Sequence, residues 1–172
     1  MLLFTPSSKT CNSNRHAGTK SLALGSMLAL VAVVAPQVRA GGKNRDAAFA
    51  QKLVDDTAAK HKPELIYLGL HGVTPHSKQS VIFASTKPDK IGKKSSCADL
   101  HVVEKGIPVM EMKGKTTTVL ERLLDSKGHT IGLIVVGFDL GEGEESQAAK
   151  LSKELGEELA KQISSKDQLF GK

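Results

Sequence analysis

Cys97 and three histidines are the side chains of this sequence best suited to covalent or metal chemistry. Cys97 is preceded along the chain by His71 and His76 and followed by His101. A thiol beside an imidazole can act as a nucleophile, and imidazoles can also ligate a metal or a haem iron. The sequence contains no C-x-x-C-H motif, which excludes covalent haem attachment by that route. A haem-binding, metal-binding or redox protein that uses His71, His101 and Cys97 is therefore one alternative.

Motifs for common enzymatic reactions are absent from the sequence. It contains no G-x-S-x-G, no H-E-x-x-H, no phosphate-binding G-x-x-x-x-G-K-[ST] and no paired C-x-x-C. Residues 141–144 (GEGE) are glycine-rich but acidic, so they would repel a phosphate, and they are typical of a turn that leads into a helix. No set of acid, base and nucleophile can be assembled, and we predict that the protein is not an enzyme.

A cluster of lysines marks the middle of the chain. Lys87, Lys90, Lys93 and Lys94 lie in a segment that also contains Pro88 and Gly92. Such a cluster is typical of a solvated loop, but it can also form an electropositive rim that attracts carboxylates. Both interpretations stay open from the sequence.

The apolar pattern predicts an α+β fold. An antiparallel sheet of about five strands carries an N-terminal and a C-terminal helix, because consecutive strands are joined by short turns. The segment 86–105 is irregular and contains a short helix near 98–104. The predicted helices and strands are helix 46–61, strands 65–71, 80–85, 107–113, 115–124 and 130–138, and helix 144–164.

Strand periodicity predicts which side chains share a face of this sheet. Side chains two residues apart in a strand lie on the same face. Tyr67, the only tyrosine, is thereby grouped with Gly69 and His71. The same alternation groups Ile82 with Ala84, Met110 with Met112, and Thr116 with Thr118.

Residues 1–40 are typical of a secretory signal. The first twenty residues are polar and positive, Leu22–Ala35 is a fourteen-residue apolar stretch, and Val38-Arg39-Ala40 offers a cleavage site. A membrane anchor is the alternative, but a spanning helix needs about 20 apolar residues. We expect cleavage after Ala40, a single domain over residues 41–172, no membrane span after processing, and a periplasmic or secreted location.

The charge balance argues against nucleic acid as a partner. Four of the 24 basic residues and none of the 18 acidic residues lie in the first 40 positions, which leaves 20 basic against 18 acidic residues. Nucleic acid binding requires a clustered basic surface. Aromatic residues make up only 3% of the chain, so a stacking platform for bases is also disfavoured.

Two stretches resemble Cache-type extracytoplasmic sensor domains, which have a PAS-like fold. They are SVIFASTKPDKIGKK at 80–94 and LLDSKGHTIGLIVVGF at 123–138, whose Gly128 and Gly132 match glycines of the family pattern. The resemblance implies a cavity between the sheet and segment 86–105 that binds a carboxylate or an amino acid. The residues expected to bind this ligand are Tyr67, His71, Ile82, Ala84, Lys90, Lys93, Met110, Met112 and Thr118.

The chain departs from the usual family architecture. It shows no second membrane span and no cytoplasmic signalling module, so we expect a free-standing version of the domain. Its expected partners are a small-molecule ligand and a membrane receptor or another periplasmic protein, without a cofactor. A partner-binding accessory protein that binds no ligand is a further alternative.

Overall fold

The predicted elements are all present in the computed structural model, which describes residues 47–171. Their bounds agree with the predicted ones to within two residues. The helices and strands are α1 (Ala48–Lys60), β1 (Leu65–Val73), β2 (Ser80–Ser85), α2 (Cys97–Lys105), β3 (Val109–Lys113), β4 (Thr116–Leu124), β5 (Thr130–Phe138) and α3 (Glu145–Gln162). Short 3-10 turns lie at Pro88–Lys90 and Asp167–Phe170.

The five strands form one antiparallel sheet in the order β2-β1-β5-β4-β3. The hairpins β1–β2, β3–β4 and β4–β5 pair consecutive strands, while β5 also pairs with β1 and so closes the middle of the sheet. This arrangement confirms the predicted α+β class and is consistent with a PAS-like domain.

One face of the sheet carries the main hydrophobic core. Helix α1 packs on β1 and β2, and α3 packs on β4, as the amphipathic patterns of both helices predict. The Asp167–Phe170 turn fills the space beside α1, and its Phe170 ring meets Phe83 edge-on at a centroid distance of 5.1 Å. The helical side chains that form this core include Ala50, Leu53, Val54, Ala148, Leu155 and Leu159.

The opposite face is covered by α2 and forms a smaller core. Val102 of α2 is fully buried there against Leu120 of β4 and Leu133 of β5. Arg122 of β4 donates from Nε to the Val103 carbonyl, at 3.1 Å, and thereby binds the last turn of α2. Helix α2 thus covers this face, and it lies within one residue of the predicted helix at each end.

A β-bulge in β2 changes which of its residues share a face. Leu70 pairs with Ala84 and His71 pairs with Ile82, so Phe83 is an extra residue in β2. Ala84 consequently packs into the main core, while Ile82 lies opposite His71. The prediction that strict alternation keeps Ile82 and Ala84 on one face is therefore wrong.

The predicted signal, residues 1–40, lies outside the described residues. Within residues 47–171, no helix is both long enough and apolar enough to cross a membrane.

Candidate functional site

A row of three residues on β1 forms the centre of the candidate site. Tyr67 and Val135 belong to the smaller core, and Val135 pairs with Gly69 across the β1–β5 ladder. His71 pairs with Leu133, another member of this core. Paired residues in a sheet share a face. Tyr67, Gly69 and His71 therefore lie on one face, as strand alternation predicts.

Gly69 provides the space in which its two neighbours meet. A Cβ at Gly69 would overlap the Tyr67 hydroxyl and would lie 2.9 Å from its Cζ and 3.3 Å from the Nε2 of His71. The phenol of Tyr67 therefore lies over the bare backbone of Gly69, and the imidazole of His71 approaches the same space. Glycine is required here because of this close approach and not because of an unusual backbone angle.

His71 is held in place by Asp99 at the start of α2. Its side chain is buried, and Nδ1 lies 3.0 Å from Oδ2 of Asp99. The same carboxylate oxygen accepts a hydrogen bond from the backbone N–H of Ser96, at 2.8 Å, and the Ser96 hydroxyl accepts one from the Asp99 N–H. This capping box starts α2 and also fixes the imidazole under it.

The surroundings of Asp99 favour its ionised form. Burial by itself would raise the pKa of Asp99, but the hydrogen bonds from His71 and Ser96 outweigh burial and hold this pKa below its ordinary value. An ionised carboxylate only accepts hydrogen bonds, so Nδ1 of His71 must be the donor.

The second ring nitrogen of His71 has no partner. Nε2 is a buried side-chain atom without a hydrogen bond among the described residues. In neutral His71 this atom is an acceptor, and in the imidazolium it is a donor, so either form calls for a polar partner. Leaving a buried polar group unpaired costs about 1–3 kcal/mol. An orphan of this kind indicates a position that a ligand or a water molecule can fill.

Tyr67 forms the other wall of the site. Burial raises the pKa of its phenol, and the negative charges of Asp99 and Asp89 act in the same direction, against a side-chain hydrogen bond with Ser85. Above the ring lie two ammonium groups, Nζ of Lys90 at 4.8 Å and Nζ of Lys87 at 5.7 Å from the ring centroid. Both are within the range of cation–π attraction.

Together these groups can recognise a small polar molecule. The Lys87 and Lys90 ammoniums provide positive charge, the Tyr67 hydroxyl and His71 Nε2 provide directed hydrogen bonds, and Val135 provides an apolar wall.

Several of the predicted ligand-binding residues are brought together by the structure. Tyr67, His71 and Lys90 meet, and Ile82 lies opposite His71. Thr118 pairs with Gly137, which in turn pairs with Tyr67, so Thr118 lies on the same face of the sheet.

The other predicted residues lie elsewhere. Ala84 is part of the main core, and Met110 packs against that core because it pairs with Val119. Met112 is an exposed residue of β3. Lys93 forms an exposed ion pair with Asp89, at 3.6 Å, and is not positioned over Tyr67.

Three contributors to the site were not predicted: Asp99, Ser85 and Lys87. Asp99 could have been found from the Ser96-x-x-Asp99 spacing, which is typical of a helix start. Its contact with His71 joins residues 28 apart, and no local pattern indicates that contact. Ser85 was predicted only as a strand end, and Lys87 only as part of the lysine cluster.

The alternative based on His71, His101 and Cys97 requires these three side chains to lie close together. Cys97 and His101 are one turn apart on α2 and both are exposed, whereas His71 is buried. Among residues 47–171, no group of three or more His, Cys, Asp or Glu side chains lies close enough to hold a metal ion.

Comparison with known proteins gives only distant similarities. No family model matches the chain, and no curated protein matches it. One similar solved structure is the inducer-binding domain of the PobR transcription factor from Acinetobacter, a double mutant in complex with 3-hydroxybenzoic acid. It has 10% identity and a TM-score of 0.46, over 68% of this chain and 98% of that chain. Another is a type II free methionine-R-sulfoxide reductase from Thermoplasma acidophilum, with 16% identity and a TM-score of 0.45, over 66% of this chain and 93% of that chain.

These comparisons leave the Cache-type assignment a prediction. The functional conclusions below therefore rest on the residues of the site itself.

Proposed function

We propose that this protein binds a small organic anion, such as a carboxylic acid or an amino acid, at the site formed by Tyr67, His71 and Lys90. The carboxylate would take the position beside His71 Nε2 and the Tyr67 hydroxyl. The lysine ammoniums would attract the negative charge, and the apolar part of the ligand would rest on the smaller core.

The observation that supports this proposal most directly is the unpartnered Nε2 of His71. The Nδ1 atom of this buried imidazole is fixed by Asp99, whereas Nε2 is oriented but has no hydrogen-bond partner among the described residues. The contact with Asp99 uses only Nδ1, so the fold by itself does not account for the position of Nε2. A ligand that supplies the missing hydrogen bond gives the histidine a function.

Two further parts of the proposal concern chemistry and location. We propose binding without catalysis, because within residues 47–171 no hydroxyl or thiol is hydrogen-bonded to Nε2. We also propose that the protein acts outside the cytoplasm, as a free-standing binding protein or as an accessory to a membrane receptor. This location is supported by the positive region and apolar run within residues 1–40.

Thermal unfolding of the full chain against a library of small acids tests the proposal. The library holds aliphatic and aromatic carboxylates and amino acids, together with the matching alcohols and amides. A ligand that binds only the folded state stabilises it by about 2.7 kcal/mol at a hundred times its dissociation constant. We expect a saturable rise in the unfolding temperature with one class of acids and none with the corresponding amides. No rise with any acid would contradict the proposal and favour the partner-binding alternative.

Matched variants then locate the binding. His71→Phe removes the orphan nitrogen and should weaken binding about tenfold or more, since a lost hydrogen bond to a charged group is worth about 1.5–3 kcal/mol. Lys90→Gln should weaken it by about fivefold, as expected for one exposed charge. The controls are His101→Gln on the exposed face of α2 and Lys93→Gln, which is paired with Asp89 instead. Equal effects in the controls would place the ligand elsewhere.

A further inference from the structure

A cleft lies on the opposite face of the sheet, beside α3. Helix α3 packs on β4, and the cleft is lined by residues of α3, β4 and the edge strand β3. The resulting cleft has a volume of about 260 Å³. Its walls are mostly apolar and include Met110 of β3, Val119 of β4 and Ala149 of α3, while Glu121 and Lys153 provide its charged groups.

Glu121 is an unusual residue for its position. It pairs with Ile134 across the β4–β5 ladder, and Val119 and Leu123, two positions to either side of it, are buried core residues. An apolar residue would suit this row better, because burying a carboxylate without full compensation is costly. Burial raises the pKa of Glu121, and the opposing effects of the Ser152 hydroxyl and the Lys153 charge do not cancel this rise.

The hydrogen bonding of Glu121 leaves one oxygen available. The fully buried Ser152 hydroxyl donates to Oε1 and orients the carboxylate. Among the described residues, no hydrogen bond or ion pair joins Oε2 to another side chain. Oε2 lies beside the backbone of α3, since a Cβ at Gly156 would be in ordinary van der Waals contact with it, at 3.9 Å. Glu121 itself lines the cleft, so a fixed, half-buried carboxylate meets the apolar walls there with one oxygen that is unused among the described residues.

We propose that this cleft binds a small molecule with an apolar body and one primary amino group. The ammonium would donate to Glu121 while the hydrocarbon part lies against Met110, Val119 and Ala149. A cation is favoured because a carboxylate in partly apolar surroundings binds an ammonium more strongly than a neutral donor. The volume is slightly below that of a typical drug-sized pocket, which selects ligands about the size of benzylamine.

This site is independent of the one proposed for anions. It lies on the α3 face, whereas Tyr67 and His71 lie on the α2 face, and the two sites select opposite charges. The role of Lys153 follows from its position at the cleft. As a cation next to Glu121, it competes with the ligand for the same carboxylate, so its removal should strengthen the binding of an amine.

Calorimetric titration of the full chain with benzylamine tests the proposal, with benzyl alcohol as the matched neutral probe. We expect saturable binding of benzylamine at least tenfold tighter than that of benzyl alcohol. Glu121→Gln keeps an oxygen that can accept from Ser152 and should weaken benzylamine binding about tenfold. Lys153→Gln should strengthen it, and Ala149→Leu should block it by filling the cleft.

Two results would overturn the proposal. One is equal affinity for the amine and the alcohol, and the other is unchanged benzylamine affinity in Glu121→Gln. As a control, Glu157→Gln removes a carboxylate from the exposed side of α3 and should leave the affinity unchanged. If Glu121→Gln does not fold, Ala149→Leu and Lys153→Gln still decide the question, because their effects are expected in opposite directions.

Discussion

The carboxylate of Asp99 and the imidazole of His71 form a buried pair, 3.0 Å apart between Oδ2 and Nδ1, that links the first turn of α2 to the middle of β1. One oxygen of Asp99 serves both the helix start and the histidine. The covering helix and the orientation of the orphan nitrogen are therefore coupled, and a change at Asp99 should affect both.

Replacement of Asp99 by alanine should lower stability clearly. The variant loses a helix cap, which is worth about 1 kcal/mol, and leaves Nδ1 of His71 without its acceptor, which costs about 1–3 kcal/mol. We expect a loss of about 2–4 kcal/mol in the free energy of unfolding, measured by urea denaturation. Asp89→Ala, which removes an exposed carboxylate paired with Lys93, should change stability by less than about 1 kcal/mol. Similar losses in both variants would show that the His71 contact is unimportant.

Asp99 should also contribute to the acid sensitivity of the fold. Its pKa in the folded protein is below the unfolded value of about 3.9, so its contribution to stability is complete above that value and disappears as pH falls through the folded pKa. In this range the unfolded chain binds more protons than the folded one. Urea denaturation between pH 5 and pH 2 should give a shallower loss of stability in Asp99→Asn than in the wild type. Parallel curves would contradict this prediction.

Gly69→Ala should disturb the site directly. The new methyl group would overlap the Tyr67 hydroxyl, so the phenol must move. Overpacking of this kind costs about 1–3 kcal/mol, which urea denaturation would detect. Gly141→Ala is a suitable control, because no atom lies within 4 Å of the added Cβ. Adding Tyr67→Leu to Gly69→Ala should recover part of the loss, and no recovery would mean that the clash is with another group.

The phenol of Tyr67 should titrate above its ordinary pKa. Because the chain has one tyrosine and no tryptophan, the absorbance change near 295 nm reports Tyr67 alone. Burial is the main cause of the rise. The phenol of Tyr67 therefore stabilises the fold at pH values below its unfolded pKa of about 10. This stabilisation is lost as pH rises through the pKa of Tyr67 in the folded protein. The same chain in concentrated urea is the control, and a folded-state midpoint at or below the urea value would refute the prediction.

Export should produce a shortened protein. When the full chain is expressed in a bacterium, we expect the periplasmic or secreted form to begin at Gly41, as measured by intact mass. Ala40→Tyr, which puts a bulky side chain at the cleavage position, should retain the longer form. A full-length mass in the exported fraction would instead favour an uncleaved anchor.

The amino-acid sequence by itself determined the order and bounds of the helices and strands. Apolar spacing is a local property, and it is strong in the Thr130–Phe138 strand and in the last helix. Alternation also grouped Tyr67, Gly69 and His71 on one face, because β1 keeps a regular register with β5 across these residues. The helix predicted within segment 86–105 is present as α2.

The tertiary structure decided which residues meet. The bulge at Phe83 moved Ala84 into the main core, which no spacing in β2 could reveal because it arises from pairing with β1. The strand pairing puts Met110 on the face of the main core, away from His71. The fold of segment 86–105 places the ammonium of Lys90 over the Tyr67 ring, whereas that of Lys93 pairs with Asp89. Asp99 meets His71 only because α2 crosses the sheet above β4 and β5. Such contacts depend on how elements pack in three dimensions, and local side-chain patterns do not encode that packing.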